Sequence, residues 1–372
     1  MRMFLRIAVG LLCVLMPQAA AQLAGKVALS PDVMDLGIRF AGKNTTAAKV
    51  DAKLSPAERQ ALNDWAAFAT KHAFEIVVPQ KTDALVMGRA RMDQLLQAAT
   101  VMEQASAIFD GCKPAAEARP GRAVLVVLFD KEGFASEAWP ALLNELVARN
   151  VIQADFAQRM KSSPGAFTAR GSSIFVQHTY DMVGDAAAGD DEFRFSSEIA
   201  HKSAQYLIEA RFGRQPDVLR WGVGYVAEQR LYGHAFQFSS SGFVAVKDHY
   251  GWPEKTRELL LNRSKFPDFK LADAILATPE PGTADFGQQL AWGTLDYQLT
   301  KEPKLLADLL GQLGALDRAA DPDARSLEWR DDEKKMRETC ATAWAKLKPA
   351  TLAGHLKGLK SEAAPMEWGG DD

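Results

Sequence analysis

Phe193-Arg194-Phe195-Ser196-Ser197-Glu198-Ile199-Ala200-His201 opens a stretch that reads as a helix to Phe212, where Gly213 stops it. Ser197 and His201 are four positions apart, so a helix stacks them on one face, with Glu198 one step round from the first. Beyond a short break, Leu219-Arg220-Trp221-Gly222-Val223-Gly224-Tyr225-Val226-Ala227-Glu228 falls in a second helix, predicted over 218–231 and stopped by Gly233. Gly224 and Glu228 are again one turn apart. The rest of the chain is placed relative to this helix pair.

Upstream, Ser55-Pro56-Ala57-Glu58 carries a helix start, because Ser55 can cap, Pro56 suits the first helical position and Glu58 completes a capping box. That helix runs to about His72. Residues 74–79, 123–129 and 173–179 are strand candidates; Val124 to Phe129 is a continuous apolar run, as an inner strand requires. A long helix is predicted over 83–109, two more between Lys131 and Met160, and a small-residue acidic loop over 186–191. Residues 22–54 lack periodicity and read as an extended lead-in.

Downstream, residues 234–262 are mixed, with a strand or loop at 243–246. Helices follow over 286–299, 304–313, 331–347 and 350–359. The tail from Ser361 reads as disordered. The N-terminus has Arg2 and Arg6, an apolar run to Met16, Pro17 and then Ala19-Ala20-Ala21, the order of a cleaved signal peptide. The expected organisation is therefore a signal peptide over 1–21, the lead-in over 22–54, an α+β lobe over 55–250, a helical lobe over 251–360 and a tail over 361–372.

The chain has 44 basic and 47 acidic residues. Without Arg2 and Arg6 the basic residues fall to 42 and the net charge to −5, with no basic stripe, which argues against a nucleic-acid partner. No further apolar run spans a membrane, so a secreted or periplasmic location is expected. Cys13 leaves with the signal; Cys112 and Cys340 remain, either as a disulfide or as two unrelated buried thiols.

With His at position 197 the first helix would read H-E-x-x-H, in which two imidazoles reach one zinc ion and the glutamate acts on the metal-bound water. On these residues, on Trp221-to-Glu228 and on the order of elements, the span from Phe74 to Leu313 resembles the peptidase MA-like group of gluzincins, secreted bacterial metallopeptidases related to thermolysin. The resemblance implies an α+β gluzincin-like fold: a small mixed sheet with the motif helix, followed by a mainly helical C-terminal lobe. It also implies metal-ligand positions at Ser197, His201 and Gly224, a general base at Glu198, and a cleft bordered by Trp221, Tyr225 and Glu228.

A zinc peptidase needs three protein ligands and an open position. Ser197 is a neutral hydroxyl and Gly224 has no side chain, so the ligand set is broken and Glu198 is vestigial. The expectation is a pseudopeptidase without metal or other cofactor, acting as a scaffold or binding a peptide or protein. The alternatives are an active metallopeptidase with atypical zinc ligands and an unrelated secreted α+β protein. Glu228 reads as structural, and His178, His234 and His249 as ordinary packing or surface histidines. Trp221, Tyr225, Trp292 and Tyr297 read as helical core and rim rather than a ligand groove. Ser197→His with Gly224→Glu is expected to rebuild the ligand set.

Overall fold

Strand Val124–Phe129 (β5) is buried along its whole length, because its alternating side chains enter cores on both faces of one sheet. The computed structural model describes residues 28–40, 43–114, 123–169, 172–179, 191–235, 251–262, 270–276, 285–320, 333–359 and 361. The sheet has seven strands in the order β2-β1-β3-β4-β5-β7-β6. They are Gly37–Phe40 (β1), Lys43–Thr46 (β2), Glu75–Val78 (β3), Ala84–Arg89 (β4), β5, Phe167–Ala169 (β6) and Ile174–His178 (β7). β4, β5 and β7 run parallel, as do β1 and β3; the pairs β1–β2, β3–β4 and β6–β7 are antiparallel. The architecture is α+β, and the strands expected at 74–79, 123–129 and 173–179 share this sheet.

Short helices at Pro31–Met34 (α1) and Ala47–Val50 (α2) precede Pro56–Lys71 (α3). The capping box of α3 is formed: Glu58 N–H donates to Ser55 Oγ (3.1 Å) and Ser55 N–H to Glu58 Oε2 (2.7 Å), a pairing worth about 0.5–2 kcal/mol. Leu62 and Trp65 of α3 pack on one sheet face beside Trp139 and Leu142 of Ala138–Ala148 (α6). The opposite face, with Val86, Val126 and Phe175, meets Met92–Ile108 (α4) and Ile199, Ala200 and Tyr206 of Asp191–Phe212 (α8).

The far side of α8 gives Ala204, Ile208 and Phe212 to a third core, built with Asp217–Tyr232 (α9) and the C-terminal helices. Those helices are Trp252–Leu261 (α10), Leu271–Leu276 (α11), Asp285–Lys301 (α12), Pro303–Ala320 (α13), Glu333–Trp344 (α14) and Pro349–Leu356 (α15). Helix α8 is thus a wall shared by the sheet layer and the helical layer. Among the described residues beyond 250 no strand occurs, and no helix is long and apolar enough to cross a membrane.

Several expectations are corrected. The helix expected from Asp83 begins only after Arg91, and residues 84–89 are β4. Ala84, Leu85, Val86 and Met87 are consecutive and wholly buried, which a strand between two neighbours satisfies and a one-faced helix does not. The connection from β3 bends at Lys81 and Asp83, with φ of 62° and 41°. The lead-in contributes β1, β2 and two short helices rather than a featureless extended segment. Three helices, not two, lie between 131 and 162: Lys131–Ala135 (α5), α6 and Ala154–Ser162 (α7). Helix α13 continues past Leu313 to Ala320.

Cys112 and Cys340 are free, buried thiols in the third core, so the disulfide alternative is set aside. Burial pushes both up to about 12. The expected signal peptide (1–21), the strand or loop expected at 243–246, residues 186–190 of the expected acidic loop and the expected tail beyond Ser361 lie outside the described residues. Ser361 itself hydrogen-bonds the carboxylate of Glu254.

Candidate functional site

Helices α8 and α9 are joined by only residues 213–216 and run back along each other. Each presents polar or small residues at four-residue spacing: Ser197, His201 and Gln205 on α8, and Arg220, Gly224 and Glu228 on α9. Helical periodicity puts each trio on one face. Ser197 meets Glu228, His201 meets Glu228 and Gly224, and Gln205 meets Arg220.

The hydrogen bonds run in one direction. Arg220, braced by Asp217 (3.2 Å), donates through Nη1 to Gln205 Oε1 at 3.0 Å. That fixes the amide, so Gln205 Nε2 donates to His201 Nε2 at 2.6 Å. An imidazole whose Nε2 accepts carries its proton on Nδ1. His201 Nδ1 therefore donates to Glu228 Oε1 at 2.5 Å, and Ser197 Oγ donates to Glu228 Oε2 at 2.7 Å. Burial, reinforced by the Lys202 and Arg220 charges, holds His201 well below the usual histidine range and keeps the ring neutral. Ser197 and Glu228 are fully buried.

Gly224 makes room for this arrangement. A Cβ there would lie 2.5 Å from both Cε1 and Nδ1 of His201. The absent side chain is what lets the imidazole rest against the α9 backbone. Tyr225, buried on the next position, sets its ring edge-on to His201 at 4.8 Å and packs on Trp252 at 4.9 Å. Trp292 is wholly buried against Trp252, while Trp221 and Tyr297 pack at the margin of the same core. These aromatics are core and rim.

The structure brings Ser197, His201, Gly224 and Glu228 together and leaves Glu198 aside. Its carboxylate lies 3.8 Å from Lys202 Nζ on the outer side of α8. His178 is buried at the end of β7 near Phe134, and His234 is buried beside Tyr232. His249 lies outside the described residues. Two members of the ladder, Gln205 and Arg220, escaped the sequence reading. The signal for them was present: each extends its helix's four-residue stripe by one turn.

The expected cleft is instead a closed, hydrogen-bonded seam. Its donor set does not fit a peptidase zinc ion. Both His201 nitrogens and both Glu228 oxygens are engaged within the protein, and a catalytic zinc needs three ligands and an open position. Among the described residues no group of three His, Cys, Asp or Glu side chains converges suitably for a metal. A serine nucleophile is equally unsupported, because Ser197 gives its proton to Glu228 and not to the imidazole. No protein-family model matches the chain, and no curated protein matches it.

Proposed function

We propose that this chain is a secreted, catalytically inactive relative of the gluzincin metallopeptidases, serving as a scaffold or as the binder of a peptide or protein. One observation carries the reading: of the three positions at which that family would hold zinc, Ser197 and His201 both reach Glu228 of α9, and Gly224 of α9 lies against the His201 ring. Their spacing in sequence and their contact in space coincide, while the chemistry there is a closed polar ladder. Because the ladder is buried, a peptide or protein partner would dock on a surface other than the former metal centre.

Elemental analysis and a peptide-hydrolysis assay on the purified mature chain test this. The expected result is no stoichiometric zinc and no cleavage. Retention of roughly one zinc per chain after dialysis against a weak chelator, as a three-ligand site would show, overturns it.

A further inference from the structure

Away from the ladder, at the edge of the sheet, a cavity of about 490 Å³ opens between the β1–β2 edge, α2 and the connection from β3 to β4. Its size lies within the usual range for small-molecule sites. β1 and β3 are parallel neighbours, and the cavity sits at their carboxyl ends, where Phe40 closes one strand and Pro79 follows the other. Open sheets place ligands at the carboxyl ends of parallel strands.

Four lysines line this cavity: Lys43 on β2, Lys49 on α2, Lys53 in the following turn and Lys81 after β3. All four are exposed, and none forms an ion pair among the described residues. Asp51, the acid nearest Lys49 and Lys53 in sequence, is already taken by Arg59, and Asp83, two residues beyond Lys81, forms no ion pair with any of the four among the described residues. The acid in the lining is Glu58, whose buried carboxyl caps α3 and feels the charge of Asp83. Desolvation pushes Glu58 up to about 7, so it opposes an incoming anion less than an ordinary glutamate would. Phe40, Val50 and Pro79 add an apolar wall, and Lys53 Nζ stands 5.9 Å from the Phe40 ring centre.

Unpaired ammonium groups gathered round one concavity repel each other and gain by sharing a counter-charge. Lysine, a compact charge on a flexible stem, adapts to phosphate or carboxylate oxygens without needing a planar fork. We propose that the cavity bounded by Lys43, Lys49, Lys53 and Lys81 binds a small multivalent oxyanion, a phosphorylated or polycarboxylated molecule whose organic part lies against Phe40 and Pro79. This goes beyond the scaffold reading and does not depend on it, since no residue of the α8–α9 ladder takes part.

Calorimetric titration of the whole mature chain tests it, with pyrophosphate and citrate as probes and acetate as the monovalent comparison. At about 0.15 M salt, where exposed charges are well screened, at least one multivalent probe is expected to bind with Kd below about 1 mM, and acetate more weakly. A preference for pyrophosphate or for citrate identifies phosphate or carboxylate chemistry. In a Lys43→Gln, Lys53→Gln, Lys81→Gln variant that affinity should fall at least about tenfold, a difference of about 1.4 kcal/mol. Lys346→Gln, an exposed lysine elsewhere, should leave it unchanged. No binding of either multivalent probe overturns the proposal, as does equal affinity in the triple variant or an equal loss in Lys346→Gln.

Discussion

Between α8 and α9, the side chains of the ladder are each tied to a neighbour in a fixed direction; round the sheet-edge cavity, ammonium groups stand exposed and form no ion pair among the described residues. The first region resembles a catalytic centre in spacing and behaves as a structural joint. The second carries no motif and has the chemistry of a binding site. The difference teaches that a titratable cluster is read by what its members already hold. Satisfied groups have spent their bonding capacity on the fold, whereas unsatisfied ones retain it for a ligand.

Removing the hub of the ladder should separate the two regions most sharply. Glu228→Ala strands the Ser197 hydroxyl and the His201 Nδ1–H without their acceptor and leaves a cavity. A loss of about 2–5 kcal/mol in urea unfolding is expected from the two stranded donors and the cavity. A loss below about 1 kcal/mol, the range of an ordinary surface change, would show that the ladder is not structural.

Gly224→Ala comes next. Its Cβ would sit 2.5 Å from the His201 ring, so a cost of about 1–3 kcal/mol is expected. The cost should shrink in a His201→Ala background, and a double-mutant cycle measures that coupling. The same clash changes how a metal site would be rebuilt. Glu228 already reaches positions 197 and 201, so Ser197→His alone should raise zinc affinity, and adding Gly224→Glu should not raise it further. Competition with a chromogenic chelator reads both variants. A requirement for both substitutions would restore the expectation drawn from sequence alone.

A smaller effect comes from pH. Glu58 titrates at about 7 in the fold against an ordinary 4.5, so the neutral form is the one the fold favours. Its contribution is full below about pH 4.5 and is lost as pH rises through about 7, an effect of roughly 1–3 kcal/mol. Glu58→Gln should remove that slope and melt higher than the parent at pH 8; an unchanged slope would count against a neutral Glu58. The smallest effect belongs to the cavity rim. Lys43→Gln, Lys53→Gln and Lys81→Gln should each shift stability by less than about 0.5 kcal/mol, since exposed groups outside any ion pair among the described residues support little of the fold. A larger loss in thermal unfolding would mean that these lysines are structural after all.

The sequence makes the α8–α9 pair legible because periodicity and two helix-stopping glycines mark it from within. Gly213 and Gly233 both adopt positive φ, at 97° and 78°. It makes the inner strands legible because Val124 to Phe129 is apolar throughout. It conceals β4, whose apolar residues run straight into a helix with only a two-residue break. The lead-in is hidden for another reason. β1 and β2 are short and partly exposed; β2 pairs with β1, and what holds the two is the pairing of β1 with β3, whose residues lie far along the chain. In the candidate site, the shared face of Ser197 and His201 follows from helix geometry, whereas their meeting with Gly224 is implied by the family resemblance. The role of Glu228 follows from neither, because along one helix it is a full turn from Gly224, and only the way α8 lies across α9 lets one carboxylate reach two residues of the facing helix.

The two free cysteines bear on how the molecule tolerates its surroundings. Thiol exchange and oxidation proceed through the thiolate. With Cys112 and Cys340 both raised to about 12 and both sealed in the third core, neither of these two sulfurs is nucleophilic at neutral pH while the fold is closed. In an oxidising medium these two thiols should form no intermolecular disulfide and ignore glutathione. Alkylating reagents should find these sulfurs only when the helical layer opens, so their rate of labelling becomes a clock for that opening.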